Sequence, residues 1–195
     1  MIKIHPQKNS IFDKVTVNYL LLSVTVFTLA IIIGFYLGGI IYPPFSSSNA
    51  LPKIQKVNSN LYDIFKQIFF NNYKVALYLV FLGYFSGGII TMLIIITNGL
   101  STGYNLHYIN IQNLGGLSGL FNRLFFHGFI ELFALFLMGS IGLRGFNTML
   151  HFVKNDGATL QGNIVTRQIV FHFFIGSILL FIAAIIESII FNSIS

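Results

Sequence analysis

The sequence predicts an all-α, polytopic transmembrane bundle of about four spans plus a short interfacial amphipathic helix. Three observations predict it. Of the 195 residues, 55% are hydrophobic and only 8% are charged, against roughly 25% charged in an average soluble domain. Mean hydropathy is +0.80, which excludes both a water-soluble globule and a disordered chain. No charged residue stands between Lys14 and Lys53, or between Lys74 and Arg123, and each window exceeds the roughly 20 helical residues that cross a bilayer core.

The expected spans are about 18–41, 75–97, 124–150 and 168–190, all within one integral membrane domain, residues 1–195. Backbone amides in lipid must be paired internally, so each span is a helix. Ser23, Thr25 and Thr28 do not forbid insertion of the first, because such hydroxyls bond back to the helix backbone. Pro43 and Pro44 end it, since proline cannot continue the hydrogen-bond ladder. Lys3, Lys8 and Lys14 resemble a signal-peptide n-region, yet the apolar run behind them is longer than an h-region, so the span is expected to be retained. In the polar stretch 43–74, Leu61, Ile64, Phe65, Ile68 and Phe69 recur at helical spacing. A helix over 60–72 lying in the interface is expected there, packing on the protein itself being the other reading. The basic residues do not agree on an orientation: their total favours an outside amino terminus, whereas the three lysines before the first span favour an inside one.

The formal charge of +6 sits at the ends of apolar runs and suits anionic headgroups better than nucleic acid. With no cysteine there is no disulfide, thiol nucleophile or thiolate metal site. No cofactor and no metal are expected. Gly116-Leu-Ser118-Gly119 has the look of an intramembrane serine protease motif, but nothing else in the chain supports one, and neither H-E-x-x-H nor a phosphate-binding loop occurs.

Glycines four residues apart permit close approach of membrane helices. Gly34/Gly38 and Gly83/Gly87, each followed by a further glycine, are the expected packing faces. They would join helices within one chain, or two chains in a homo-oligomer.

Polar residues at membrane depth are the functional candidates, because charge there is costly. Arg123, His127 and Glu131 are four apart and share one helix face within about 80°. This polar face has two readings. A structural ion pair or hydrogen bond would lock the helix into the bundle. Alternatively His127 and Glu131 form a working pair, catalytic or proton-handling, or two ligands of a metal that His172 would complete. Gly128, Ala134 and Gly142 are small enough to admit a neighbouring helix. Arg144 lies outside this face and is expected to snorkel to the interface or pair with another helix.

The order of these strings resembles the stage II sporulation protein M family of integral membrane proteins. Asn71-Asn72-Tyr-Lys-Val-Ala76 leads into Leu82-Gly83 and Gly87-Gly88; then come Asn98-Gly99-Leu-Ser-Thr-Gly103 and His127-Gly128-Phe-Ile-Glu131-Leu-Phe-Ala134, and finally Gly139-Ser-Ile-Gly142-Leu-Arg144. The resemblance covers residues 61–150. It implies a bacterial, Gram-positive cell-membrane protein whose partners are the bilayer, other membrane proteins or a peptide substrate. It implies two settings: sporulation-linked cell-wall remodelling, or maturation and export of bacteriocins, notably circular ones. A non-catalytic subunit organising a membrane complex is the expectation. An intramembrane enzyme, a proton-coupled transporter using His127 and Glu131, and a bacteriocin immunity protein are the alternatives.

Overall fold

In a computed structural model, residues 14–41, 60–111, 116–154 and 162–194 are described, with side chains for 14–41, 60–108, 110, 128–150, 153 and 167–190. All of the described chain except Asn60 and the turn at Ser86–Gly88 is helical. We label the helices α1 (Lys14–Ile41), α2 (Leu61–Phe85), α3 (Ile89–Ile111), α4 (Gly116–Lys154) and α5 (Gly162–Ile194). Each of the five contains a stretch long and apolar enough to cross a membrane. The large exposed side chains, among them Tyr36, Ile40, Phe85, Phe129 and Phe174, are aromatic or aliphatic all around the bundle, as a lipid-facing surface requires.

The expected span 75–97 is not one helix, because the chain reverses inside it. The Gly88 N–H donates to the Gly83 carbonyl at 2.7 Å and the Gly87 N–H to the Tyr84 carbonyl at 3.2 Å, the paired bonds of a glycine C-cap. Gly87 and Gly88 have φ of +63° and +87°, a region where a side chain adds strain. The Ser86 hydroxyl donates to the Gly83 carbonyl and accepts from the Ile90 N–H, both at 3.0 Å. It thereby ties the end of α2 to the start of α3. Gly83 and Gly87, expected on one packing face, thus fall on either side of a helix end.

The stretch 60–72, expected in the interface, is the first half of α2. Its apolar stripe packs on the protein: Ile64 is buried, and the Phe65 and Phe69 rings lie 5.4 and 5.7 Å from that of Phe181 on α5. Further along α2 the helix widens over Tyr78–Leu82, where the Gly83 N–H reaches back five residues to the Tyr78 carbonyl. The Thr91 hydroxyl of α3 donates to the neighbouring Leu79 carbonyl at 2.9 Å. A widened turn loosens carbonyls from the ladder, and a hydroxyl from the next helix meets this one.

Successive helices run in opposite directions. Parallel to each other, α1 and α3 meet through glycines on both sides. A Cβ on Gly34 would stand 2.2 Å from the Leu100 carbonyl oxygen, and one on Gly103 2.0 Å from that of Ile31. Gly38 and Gly39 receive the His107 ring, and Gly99 receives Phe27 and Ala30. α2 and α4 are likewise parallel, with Gly142 against the Leu79 carbonyl and Gly145 against that of Tyr84. Antiparallel α5 closes the bundle: Gly176 faces Met138 of α4, and Phe173 faces Phe81 of α2. Gly128, expected to admit a neighbour, has nothing within 4 Å of a Cβ among the described residues.

The starts of α1, α3 and α5 and the ends of α2 and α4 therefore share one end of the bundle, the turn end. The other is the far end.

The native chain has no cysteine, so topology can be read by single-cysteine labelling. Ser10→Cys and Gly157→Cys should react from the same side of the membrane and Ser48→Cys from the other. Four crossings would instead put positions 10 and 157 on opposite sides. Gly34→Ala and Gly103→Ala should each lower the melting temperature in detergent, at a cost of about 1–3 kcal/mol for forcing two backbones apart. Gly128→Ala should leave it unchanged.

Candidate functional site

A cavity of about 230 Å³ lies between α2, α3 and α4, with Phe27 of α1 contributing to its wall. Its polar lining comes from three separate segments: Asn71 and Asn72 on α2, Asn98, Ser101 and Thr102 on α3, and Glu131 on α4. Helical spacing explains the grouping on α3, since residues 98, 101 and 102 are one turn apart on a single face. The turn at Ser86–Gly88 explains why α2 and α3 meet, because it folds the asparagine pair back against Asn98.

Asn71 and Ser101 are exposed and mark the mouth, whereas Asn72, Asn98, Thr102 and Glu131 are half-buried. The Thr102 hydroxyl donates to the Asn98 backbone carbonyl at 2.8 Å. The side chains of Asn71, Asn72, Asn98, Ser101 and Glu131 make no hydrogen bond or ion pair with another described residue. Polar groups sealed in an apolar interior without partners cost several kcal/mol each. These five face a space large enough for water or a small polar ligand, which could satisfy them.

The lining is graded along the helix axes. On α2 the asparagines precede Val75 and Leu79, on α3 Ile95 precedes Asn98, and on α4 Glu131 precedes Leu135 and Phe136. Given the helix directions, every polar group lies toward the far end and the apolar groups lie toward the turn end. Glu131 is the one ionisable group in the described lining. Lys74, three residues after Asn71, is exposed and does not line the cavity; its ammonium sits 5.7 Å from the centre of the Tyr78 ring.

The expected polar face of Arg123, His127 and Glu131 follows a helical backbone, since α4 is continuous through all three positions. The side chains of Arg123 and His127 lie outside the described residues. His172 is fully buried on α5, but at another level. Gly176 packs on Met138 and Gln168 bonds Arg144, so His172 is level with about residue 141, some 15 Å along the axis from Glu131. It does not complete a ligand set with Glu131. Among the described residues no three His, Asp or Glu side chains gather in a way that would hold a metal ion. Ala134, one turn below Glu131, is fully buried in the core with Leu137 and Met138.

Arg144 is inside the bundle at the turn end, only 4% exposed, and pairs across helices without snorkelling. Its guanidinium donates to the Thr16 hydroxyl of α1 and, at 3.4 Å, to the Gln168 Oε1 of α5. One side chain thus joins three helices. Beside it, the Tyr84 and Thr148 hydroxyls are 3.0 Å apart.

Sequence reasoning passed over His107 and took the cavity's Ser101 and Thr102 only as members of the Asn98–Gly103 string. The His107 ring stands edge-on to Phe35 with centroids 4.9 Å apart, and neither ring nitrogen has a hydrogen-bond partner among the described residues. It acts there as an aromatic filler over Gly38 and Gly39. The i, i+3, i+4 spacing of Asn98, Ser101 and Thr102 was the available signal for a polar face.

The sequence matches the family described as Stage II sporulation protein M over residues 23–190. The chain belongs to the stage II sporulation protein M family. Neither the curated proteins nor the solved structures give a match. The match spans α2, α3 and α4, whose polar strings meet in the cavity.

Arg144→Leu should lower the melting temperature in detergent. Removing the donor strands the buried Thr16 hydroxyl and the half-buried Gln168 amide it served, at about 1–3 kcal/mol. Arg144→Lys should restore part of the loss, since a lysine keeps the charge but cannot span two acceptors with one rigid fork.

Proposed function

We propose that the chain is a non-catalytic membrane subunit that organises a complex by receiving a polar part of a peptide or partner helix in the α2–α3–α4 cavity. The setting is bacteriocin maturation and export, or sporulation-linked cell-wall remodelling. One observation carries the reading: the asparagine pair, the Asn98 string and Glu131 line one cavity while the glycine contacts lie elsewhere, so these polar groups are not spent on holding helices together. Hydrogen bonds between membrane helices are worth only about 1 kcal/mol each, and here the side chains best able to make them face open space instead.

A second reading is supported by the position of Glu131. A carboxyl group beside a cavity at membrane depth, with His127 one turn before it on α4, is what a proton-coupled transporter or an intramembrane enzyme would need.

Glu131→Gln separates the two. The substitution keeps the shape and removes the charge and the titratable proton. For the organising subunit, expression and melting temperature stay near wild type while co-purification of partner proteins from the native membrane drops several-fold. Full partner recovery with abolished peptide export or maturation would favour the transporter or enzyme. The setting follows from deleting the gene and scoring spore formation against secretion of active peptide.

A further inference from the structure

The graded lining narrows what the cavity can hold, on the reading just given that it is a binding site. A ligand satisfying it is polar and positively charged at the level of Glu131, where three asparagine amides and Ser101 add hydrogen-bond donors and acceptors. It is apolar at the level of Leu79, Ile95 and Phe136, deeper toward the turn end. An anion would meet the Glu131 carboxylate, and Lys74, the nearest cation on α2, is engaged with Tyr78. A bare metal ion would leave the apolar half wet. At about 230 Å³ the space suits one residue-sized amphiphile and is below the roughly 300–1,000 Å³ of a drug-sized site.

We propose that the cavity binds a primary ammonium attached to an apolar group, and that its source is the amino terminus of a peptide whose first residue is apolar. The ammonium pairs with Glu131. The first peptide amide of the ligand meets the side chains of Asn72 and Asn98, each of which offers both a donor and an acceptor. The first side chain enters between Leu79, Ile95 and Phe136. A lysine side chain arriving from the far end would place its charge deepest, against the apolar floor, and fits the gradient less well. The remaining peptide leaves past Asn71 and Ser101, the exposed pair at the mouth.

The cysteine-free chain allows a direct test on the full-length protein in detergent and in lipid nanodiscs. Ser101→Cys places a thiol at the mouth. Its reaction with a cationic methanethiosulfonate should be about tenfold faster than with an anionic one, and Glu131→Gln should remove the difference. Leucinamide should slow labelling several-fold at millimolar concentration, whereas N-acetylleucinamide, whose nitrogen is uncharged, should not. Ile95→Trp, which fills the apolar floor, should abolish protection by leucinamide and leave the charge preference intact.

Equal protection by the acetylated amide would overturn the ammonium assignment while leaving a peptide-binding cavity. Protection by phosphatidylethanolamine in nanodiscs, with none from leucinamide, would overturn the peptide source and assign the ammonium to a lipid headgroup. A thiol at 101 that labels with neither reagent would mean the cavity is closed, and the proposed function would fail with it.

Discussion

The left-handed backbone at Gly87 and Gly88 lets the end of α2 close on its own carbonyls and pass directly into α3, and most of the bundle follows from that reversal. Without it, residues 61–111 would form a helix far longer than a bilayer is thick. With it, α2 and α3 lie side by side, so that Thr91 reaches the Leu79 carbonyl and Gly83 comes to within 3.2 Å, measured from a Cβ, of Gly142. The same contact seats α4 against α2, and α4 in turn carries Arg144 to α1 and α5. In a protein whose helices gain nothing from leaving water, such backbone-level contacts and a few cross-helix hydrogen bonds are what remains to fix the arrangement.

The class of fold was legible because it rests on composition, and composition is local. Sixteen charges that avoid two long windows imply helices in lipid wherever those helices go. The division of the second window was not legible from hydropathy, since a turn made of Ser86, Gly87 and Gly88 carries no charge and interrupts no apolar run. Its signal lay elsewhere, in two adjacent glycines at the end of a helical stretch. Once the turn is missed, the polar residues of 60–74 look too short a segment to cross, and an interfacial position is the natural reading. The stripe Leu61, Ile64, Phe65, Ile68 and Phe69 was real, but sequence alone does not say whether such a stripe faces headgroups or another helix. Phe181 of α5 decides it.

The candidate site was legible in part for a related reason. Glu131 stood out because a carboxylate at depth is conspicuous at any position. Asn71, Asn72 and Asn98 drew notice only as strings in a family-like order, and Ser101 and Thr102 only as members of the Asn98 string and not as a polar face, because serine and threonine inside membrane helices usually bond their own backbone. Thr25, Thr28 and Thr97 do so here. Thr102 also bonds back, to the Asn98 carbonyl, and lines the cavity as well, so the bland behaviour and the functional position coexist in one residue. His172 misled for the opposite reason: a histidine in a span invites a ligand role, and only the helix register, fixed by Gly176 and Gln168, separates it from Glu131.

The division of labour between small and polar residues is what makes a cavity tolerable in this bundle. Gly34 and Gly38 with Gly99 and Gly103 hold α1 to α3, and Gly142 and Gly145 hold α4 to α2, each pair approaching too closely for a side chain to intervene. Those contacts lie on either side of the cavity and leave α2, α3 and α4 free to diverge between them. Arg144 fastens the turn end, where the lining is apolar. The polar groups cluster toward the far end, beyond the reach of that clamp, and Asn71 and Ser101 open outward there. A partner that enters from the far end therefore meets side chains whose hydrogen-bonding capacity is unspent, in a frame whose stability does not depend on them. Substitutions at Asn72, Asn98 or Glu131 should accordingly change what binds before they change whether the protein folds.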